Sequence, residues 1–535
     1  MDLCHYSELP QVPAAHPNLP PSYRAVNAGD DALAWIEMTK RPGFTVPIVA
    51  ALVAMLAWPV VAFAQSSASI SAPEIIAALR AGDSEQVRTL IRSGADVNAA
   101  QGDGATALHW AAYRDDLDAA SLLIEAGAAV NTGNELGATP LWLAAINGSH
   151  LMAGQLLAAG ADPNAALKMG ETPLMTASRS GNLQTVALLL ERGADVNTAE
   201  DERGQTALMW AVAQHHSHIV ALLIENNADL HARTEVWYQL ENTAGNTNTS
   251  GNFRMAHGGS TPLLFAARNG DIETARVLVK AGADVEDTEA SGASVLVIAA
   301  HSGHQALAIF LLQQGADPNA ATAGYTALHA AVLRSEVELV AALIDSGADL
   351  NALIEHGTAG RRFSADFSIR AQLIGMDAFW LAAKYGEVEI LRTLLERGAD
   401  PFFVSSSGVT TLQVAMGNSG SSLDHRRDRI GNAALDGEDE ERRTLKLARI
   451  LIELGVDVNA ADNRGQTALH HAVLKDFESV VQYLVAQGAA INATNERQQT
   501  PLLLAATSQT IPGTNGLRGT RPEIAEFLRR LGAHE

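Results

Sequence analysis

The sequence predicts an all-α solenoid of about twelve stacked helix-turn-helix units. Three observations carry that expectation. Glycines at 104, 137 and 170 recur with one spacing, each followed two residues later by threonine. A short apolar string follows each threonine, as in TALHWAA and TPLWLAA, and a second apolar string after it ends in glycine. Neither string is long enough to bury its apolar face alone, so successive copies must stack on one another.

Ahead of the repeats, the chain is of a different kind. Residues 1–37 are Pro-rich and aperiodic, and read as an N-terminal extension from a mis-assigned start. Residues 38–64 have the form of a signal peptide: Lys40 and Arg41, an apolar stretch from Val46 to Val61, and the small-x-small site Ala62-Phe63-Ala64 before Gln65. An uncleaved membrane anchor is the alternative, disfavoured by Pro47, Pro59 and the Ala-Phe-Ala site. After cleavage, residues 65–71 are a short linker and no cysteine remains, because Cys4 is the only one in the sequence. Such a chain needs no disulfide chemistry in an oxidising compartment. The expected location is therefore exported, with the periplasm favoured over secretion.

From residue 72 onward, local chemistry specifies each unit. Thr139 suits an N-cap and Pro140 the first helical position, where no backbone donor is lost. The second helix of each unit stops at a glycine such as Gly160 or Gly193, suited to a left-handed C-terminal residue. GADPNA or GADVNT then turns the chain towards the next copy. The series continues at Gly204, Gly259, Gly292, Gly324, Gly375, Gly408 and Gly465, with Gln498 in the same role.

This pattern resembles the ankyrin repeat over residues 72–535. The likeness is closest at Thr106-Ala-Leu-His109, Thr326-Ala-Leu-His329 and Thr467-Ala-Leu-His470, while Trp142, Met175, Met209 and Leu264 replace the histidine elsewhere. Alanine pairs such as 111–112 and 144–145 suit close helix approach. The resemblance implies an ankyrin-repeat solenoid of two-helix units with projecting hairpin-like fingers and a concave face. It also implies a protein-binding scaffold rather than an enzyme, by analogy. The first copy lacks the threonine start and the last ends in basic and polar residues, so both read as caps.

The period breaks three times, with intervals of 55, 51 and 57 between consecutive marker positions. The first two breaks are long finger insertions, residues 233–258 and 353–374. The third, 417–443, falls between first and second helices, as does a smaller one at 508–519. The finger insertions combine aromatic and basic residues, the types that dominate binding hot spots. Trp237, Tyr238, Phe253 and Arg254 lie in one; Arg361, Arg362, Phe363, Phe367 and Arg370 lie in the other. The competing expectation is that these loops fold back and bury their own aromatics.

A second candidate surface is the last turn of the first helices. It carries Arg114, Arg179, Arg268, Arg334, Lys384 and Lys475, a basic strip that would steer an acidic protein partner. The helix dipole favours cations there without any partner. A formal net charge of −23 argues against nucleic acid or anionic membrane as partner.

Little in the chain suggests chemistry. His215, His216 and His218 fall at an inter-helix turn read as solvated, and His470 belongs to the repeat motif. Phosphate-loop, HExxH, GxSxG and CxxC motifs are absent, so no cofactor or metal is expected. DGEDEERR reads as a solvated loop end, and the sequons at Asn248 and Asn492 matter only in a glycosylating pathway. The expected protein is a monomeric, exported scaffold without enzyme activity. An enzyme built on Arg361, Arg362 and His356, or a holdase with exposed apolar loop tips, are the rivals.

Overall fold

The structure, a computed structural model, describes residues 74–242, 252–358, 369, 371–417, 437–510 and 517–535. The expectations for residues 1–64, the linker, and Arg361, Arg362, Phe363, Phe367 and Arg370 lie outside those residues. Within them, 24 α-helices follow one another in pairs, from Glu74–Ala81 with Ser84–Arg92 to Pro501–Ala506 with Pro522–Arg530. Each first helix packs on its own second helix and on the first helices before and after it.

Most first helices have only seven or eight residues, below the length at which an isolated helix is stable in water. Burial supplies what length does not. In Ala107–Tyr113, Ala107, Leu108, Ala111 and Ala112 are all fully buried, the small residues allowing the neighbouring helices to approach. Second helices bury one stripe, as with Ala119, Ala120 and Leu123 of Leu117–Glu125. At the ends the stripe narrows: Ser84–Arg92 buries Val87 alone, and Pro522–Arg530 buries Ile524, Ala525 and Leu528 while its last turn is basic. Both terminal pairs thus present polar outer faces, as capping units must.

The repeat motif is a hydrogen-bond device. Thr106 N–H donates to His109 Nδ1 at 3.1 Å, which leaves the proton of the neutral ring on Nε2; Nε2–H then donates to Ala138 O of the next unit at 2.9 Å. His329 and His470 repeat this with Thr326 and Ala352, and with Thr467 and Gln499. Where glutamine replaces histidine the chemistry survives: Gln413 Oε1 accepts from Thr410 N–H at 2.7 Å, and Nε2 donates to Ala460 O and Gln466 O. Met175 retains only a weak acceptor, its sulfur 3.5 Å from Thr172 N.

Two further sets of bonds tie unit to unit. The asparagine of several inter-unit turns clamps the next unit: Asn131 donates to Gly160 O and accepts from Asp162 N–H, and Asn98, Asn164, Asn319 and Asn459 act in the same way. The finger tips form a main-chain ladder, Glu135 N–H to Asp103 O, Lys168 N–H to Leu136 O, Asp201 N–H to Met169 O. That ladder explains the marker glycine. At Gly292, with φ +87°, a Cβ would stand 2.8 Å from Thr322 O, so a side chain would wedge adjacent fingers apart. Gln498, placed in the same role by its sequence position, adopts φ +57°.

One element departs from expectation. DGEDEERR is not a loop end: Gly437–Glu453 is one helix of 17 residues, so the third insertion partly lengthens a second helix N-terminally. Glu440 pairs with Lys475 and Glu441 accepts from Ser479 N–H and Oγ–H, which gives those carboxylates a partner on the following unit.

Burial holds His329 neutral, with its pKa lowered to about 4. The unfolded chain takes up protons near pH 6.5 and the folded one does not until about pH 4. Its contribution to stability is therefore full above pH 6.5 and falls as pH drops, by roughly 3 kcal/mol at pH 4. Urea-unfolding midpoints measured from pH 7 to pH 4 are expected to decline less in His329→Gln than in the unaltered protein. His329→Leu leaves the Thr326 amide and Ala352 carbonyl unpaired, and costs about 1–3 kcal/mol at pH 7. Asn131→Ala removes two inter-unit bonds and should lower the midpoint by about 1–2 kcal/mol equivalent.

Candidate protein-binding surface

The first finger insertion is a β-hairpin. β1 (Val236–Asn242) pairs antiparallel with β2 (Asn252–Gly258), Trp237 opposite His257 and Leu240 opposite Arg254. It replaces a finger without breaking the finger ladder: Glu235 N–H donates to Arg203 O of the preceding unit at 2.7 Å, and Gly258 O accepts from Ala290 N–H of the following one at 2.9 Å.

Its base is anchored by polar bonds. Thr234, buried, pairs with Ser260 through both backbone and hydroxyl. Arg233 donates to Gly259 O and Thr288 O and forms an ion pair with the buried Asp287 of the next unit. Such a base presents the strands above it in a fixed orientation, which lowers the ordering cost of binding.

Period-two alternation divides the side chains between two faces. On one, Trp237 stacks on His257 at 5.6 Å, Arg203 lies over the Trp237 ring, and His257 meets Glu241 at 3.2 Å. On the other, Val236, Tyr238 and Leu240 are 51%, 60% and 66% exposed, with the exposed Arg254 guanidinium 4.6 Å over the Tyr238 ring. Phe253 is half-buried on the face with Trp237. The aromatic residues named from sequence are thus split between the faces, and the apolar patch includes Val236 and Leu240, which aromatic content alone does not flag.

The second finger insertion is anchored in the core. Ile354, Ile369 and Leu373 are buried, Ile354 N–H donates to Met376 O, and Thr358 N–H donates to Ile369 O. His356 lies against Gly324, its backbone N–H 3.3 Å from that carbonyl. The roots of this insertion thus pack on the core, while its aromatic residues, Phe363 and Phe367, lie outside the described residues.

The basic strip has an internal explanation. The carbonyls that end each first helix lack intrahelical donors, and side chains of the next unit supply them. Arg114 donates to Arg80 O, Asn147 to Tyr113 O, Ser180 to Ala145 O, and Asn269 to Ala213 O; His216 and His304 bond through Nε2 to Arg179 O and Arg268 O. Arg179 meets Glu171 and lies over Trp210, Arg268 pairs with Glu289, and Lys475 pairs with Glu440. Arg334 packs against Gly303, and Lys384 lies beside the Trp380 and Tyr385 rings. Most of the strip's charge is therefore engaged within the chain.

The histidine turn is solvated at His215 and His218, while His216 turns inward. His216 is part-buried with its pKa lowered by desolvation, and His215 meets Asp271 at 3.2 Å. Among the described residues, no group of three or more His, Cys, Asp or Glu is arranged to hold a metal ion.

The fold and its motif define a class, and comparison with known proteins identifies it. The family model for ankyrin repeats in threes matches residues 75–166, 151–234, 240–322, 263–354 and 440–533, and a single ankyrin repeat matches 375–406. The chain belongs to the ankyrin repeat family. Among curated proteins it is 36% identical over 223 residues to human ankyrin repeat and SOCS box protein 16, covering 39% of this chain and 46% of that protein. It is 28% identical to the E3 ubiquitin-protein ligase KEG of Arabidopsis thaliana, covering 46% of this chain and 14% of the ligase. The chain thus spans less than half the length of these relatives. Among solved structures, the human ASB11 ankyrin repeat domain aligns with 44% of this chain and 96% of its own, at 26% identity and TM-score 0.37.

Arg233→Ala removes the hairpin's anchor and leaves buried Asp287 without its cation. Hydrogen exchange is expected to accelerate at the amides of β1 and β2, by about tenfold or more, while units before Gly104 keep their protection. Equal acceleration throughout would show that the anchor is not local.

Proposed function

We propose that this ankyrin-repeat chain is an exported, non-catalytic scaffold for protein–protein interaction, with the first finger hairpin as its main recognition element. The repeats supply the scaffold role, which is what the family implies. One observation carries the finer reading: the hairpin lifts an apolar, Arg-flanked face out of the finger row on a base bonded to both neighbouring units. Exposed contiguous apolar surface on a soluble protein marks an interaction site.

Export rests on the residues of the 38–64 segment alone: basic Lys40 and Arg41, the apolar stretch, and Ala62-Phe63-Ala64. No helix among the described residues is long and apolar enough to cross a membrane. N-terminal sequencing of the protein recovered from its producing cells should begin at Gln65; a retained Met38 would refute cleavage.

The scaffold reading is tested by affinity capture with the unaltered protein and with a variant in which residues 237–257 are replaced by a short Gly-Ser turn. Thr234 and Glu235 stay, because they hold the base. A matching excision of 354–373 is unsuitable, since it strips buried Ile354, Ile369 and Leu373 from the core. A partner bound by the unaltered protein and lost by the folded variant supports the hairpin. Retention of every partner by that variant moves recognition to the helix groove.

A further inference from the structure

We infer that the stack carries a joint between the unit of residues 347–397 and that of residues 398–454, at which the two fingers swing apart and together about the helix layer.

Four kinds of tie join neighbouring units along their finger side, and among the described residues all four are missing at this place. The first is the histidine relay. Trp380 takes the histidine's position, three residues after the cap Asp377, and is 6% exposed with its indole N–H lacking an acceptor. The second is the asparagine clamp. Asn319, one unit earlier, donates to Gly347 O and accepts from Asp349 N–H, but the side chain of Asn351 makes no such bond to Gly398 or Asp400, and its backbone turns to Asp349 instead.

The third is the ladder rung. In the following row Asn463 N–H donates to Ser407 O at 3.0 Å; the equivalent Ser406 N–H and Ile374 O form no bond with each other. The fourth is contact at the marker glycine. At the other marker glycines a Cβ would come within 3.3 Å of the following finger, whereas at Gly375 it would meet nothing within 4 Å. The fingers of Gly375 and Gly408 therefore stand apart.

Every other junction between consecutive fingers keeps at least one tie. The rung is also missing at Thr322, but Gly292 lies against Thr322 O there, and Glu286 clamps by accepting from Asp317 N–H at 2.7 Å. Phe402 replaces the clamping asparagine at the junction after the gap, yet Gln413 carries the relay and the Asn463 rung is intact.

What remains across the gap is helix packing. Ala378–Tyr385 lies on Thr411–Ala415, with Phe379, Leu381 and Leu412 buried. Apolar packing is non-directional, so a layer that is not also pinned along its finger edge can pivot, as hinged and sheared interfaces do. Ile374, Phe402 and Val404 are exposed on the two fingers, so water favours their approach, and the unbonded Ser406 N–H and Ile374 O offer the rung that a closed state would gain. The groove then changes its curvature at one place, and a partner spanning both sides selects the angle it fits.

Cysteine pairs test the joint, because Cys4 is the only native cysteine and Cys4→Ser removes it. Spin labels are placed on the full chain at Thr322→Cys with Glu496→Cys, across the gap, and at Glu135→Cys with Ala290→Cys, across tied junctions. Each pair is four fingers apart, roughly 40 Å at a spacing of 8–10 Å per helix layer. The distance distribution from double electron–electron resonance is expected to be at least twice as wide for the pair across the gap. Under mild oxidation, Ile374→Cys with Ser406→Cys is expected to form a disulfide, as Leu136→Cys with Lys168→Cys does across a bonded rung, since a disulfide requires the two backbones to come close.

Equal widths for the two labelled pairs overturn the joint. So does failure of the Ile374 and Ser406 pair to close while the Leu136 and Lys168 pair closes, because the gap is then fixed open.

Discussion

A helix of seven or eight residues cannot pay for its own backbone ordering, and the whole array depends on burying each first helix between two others. That constraint explains the alanine pairs, which let neighbours approach, and the fully buried leucines such as Leu108 and Leu141. It also makes the polar ends of these helices a recurring problem. Every first helix brings unpaired amides at its start and unpaired carbonyls at its end into a part-buried layer.

The chain meets both with side chains borrowed along the stack. At the start, threonine caps and a histidine or glutamine passes one bond back to the threonine amide and one on to the next unit. At the end, a donor from the following unit covers the carbonyls, whether arginine, asparagine, serine or histidine. The residue types differ while the donor geometry persists, so the cations of the strip have partners within the chain as well as a place on the groove. Its cations sit where orphan carbonyls and nearby carboxylates hold them.

The finger ladder has the opposite character. It is a single main-chain bond per unit, at the edge of the stack, and it tolerates lengthening because little is buried there. A hairpin inserted at Glu235 keeps the ladder intact below and gains unshared backbone above. The insertion after Gly324 uses its added length differently, sending Ile354 and Ile369 into the core. Two insertions at equivalent places therefore differ at their roots, polar and bonded to both neighbours in the first, apolar and buried in the second.

Period, caps and helix ends were legible in the sequence because they depend on residues a few positions apart: glycine where φ is positive, threonine and proline at helix starts, the two apolar strings. Even Gln498 could be placed in the glycine role by counting. Membership of the array was legible for the same reason, since each unit touches only its neighbours. What the tertiary structure decided depends on residues a full unit apart. Gln413 standing in for histidine, the partners of the strip cations, and the helix begun by DGEDEERR all turn on contacts with the next copy. The division of Trp237 and Tyr238 between opposite faces follows instead from the pairing of β1 with β2, which strand alternation fixes once the insertion forms a hairpin. Local spacing determines which elements form; only the stacking of one copy on another determines which polar groups are left for a partner.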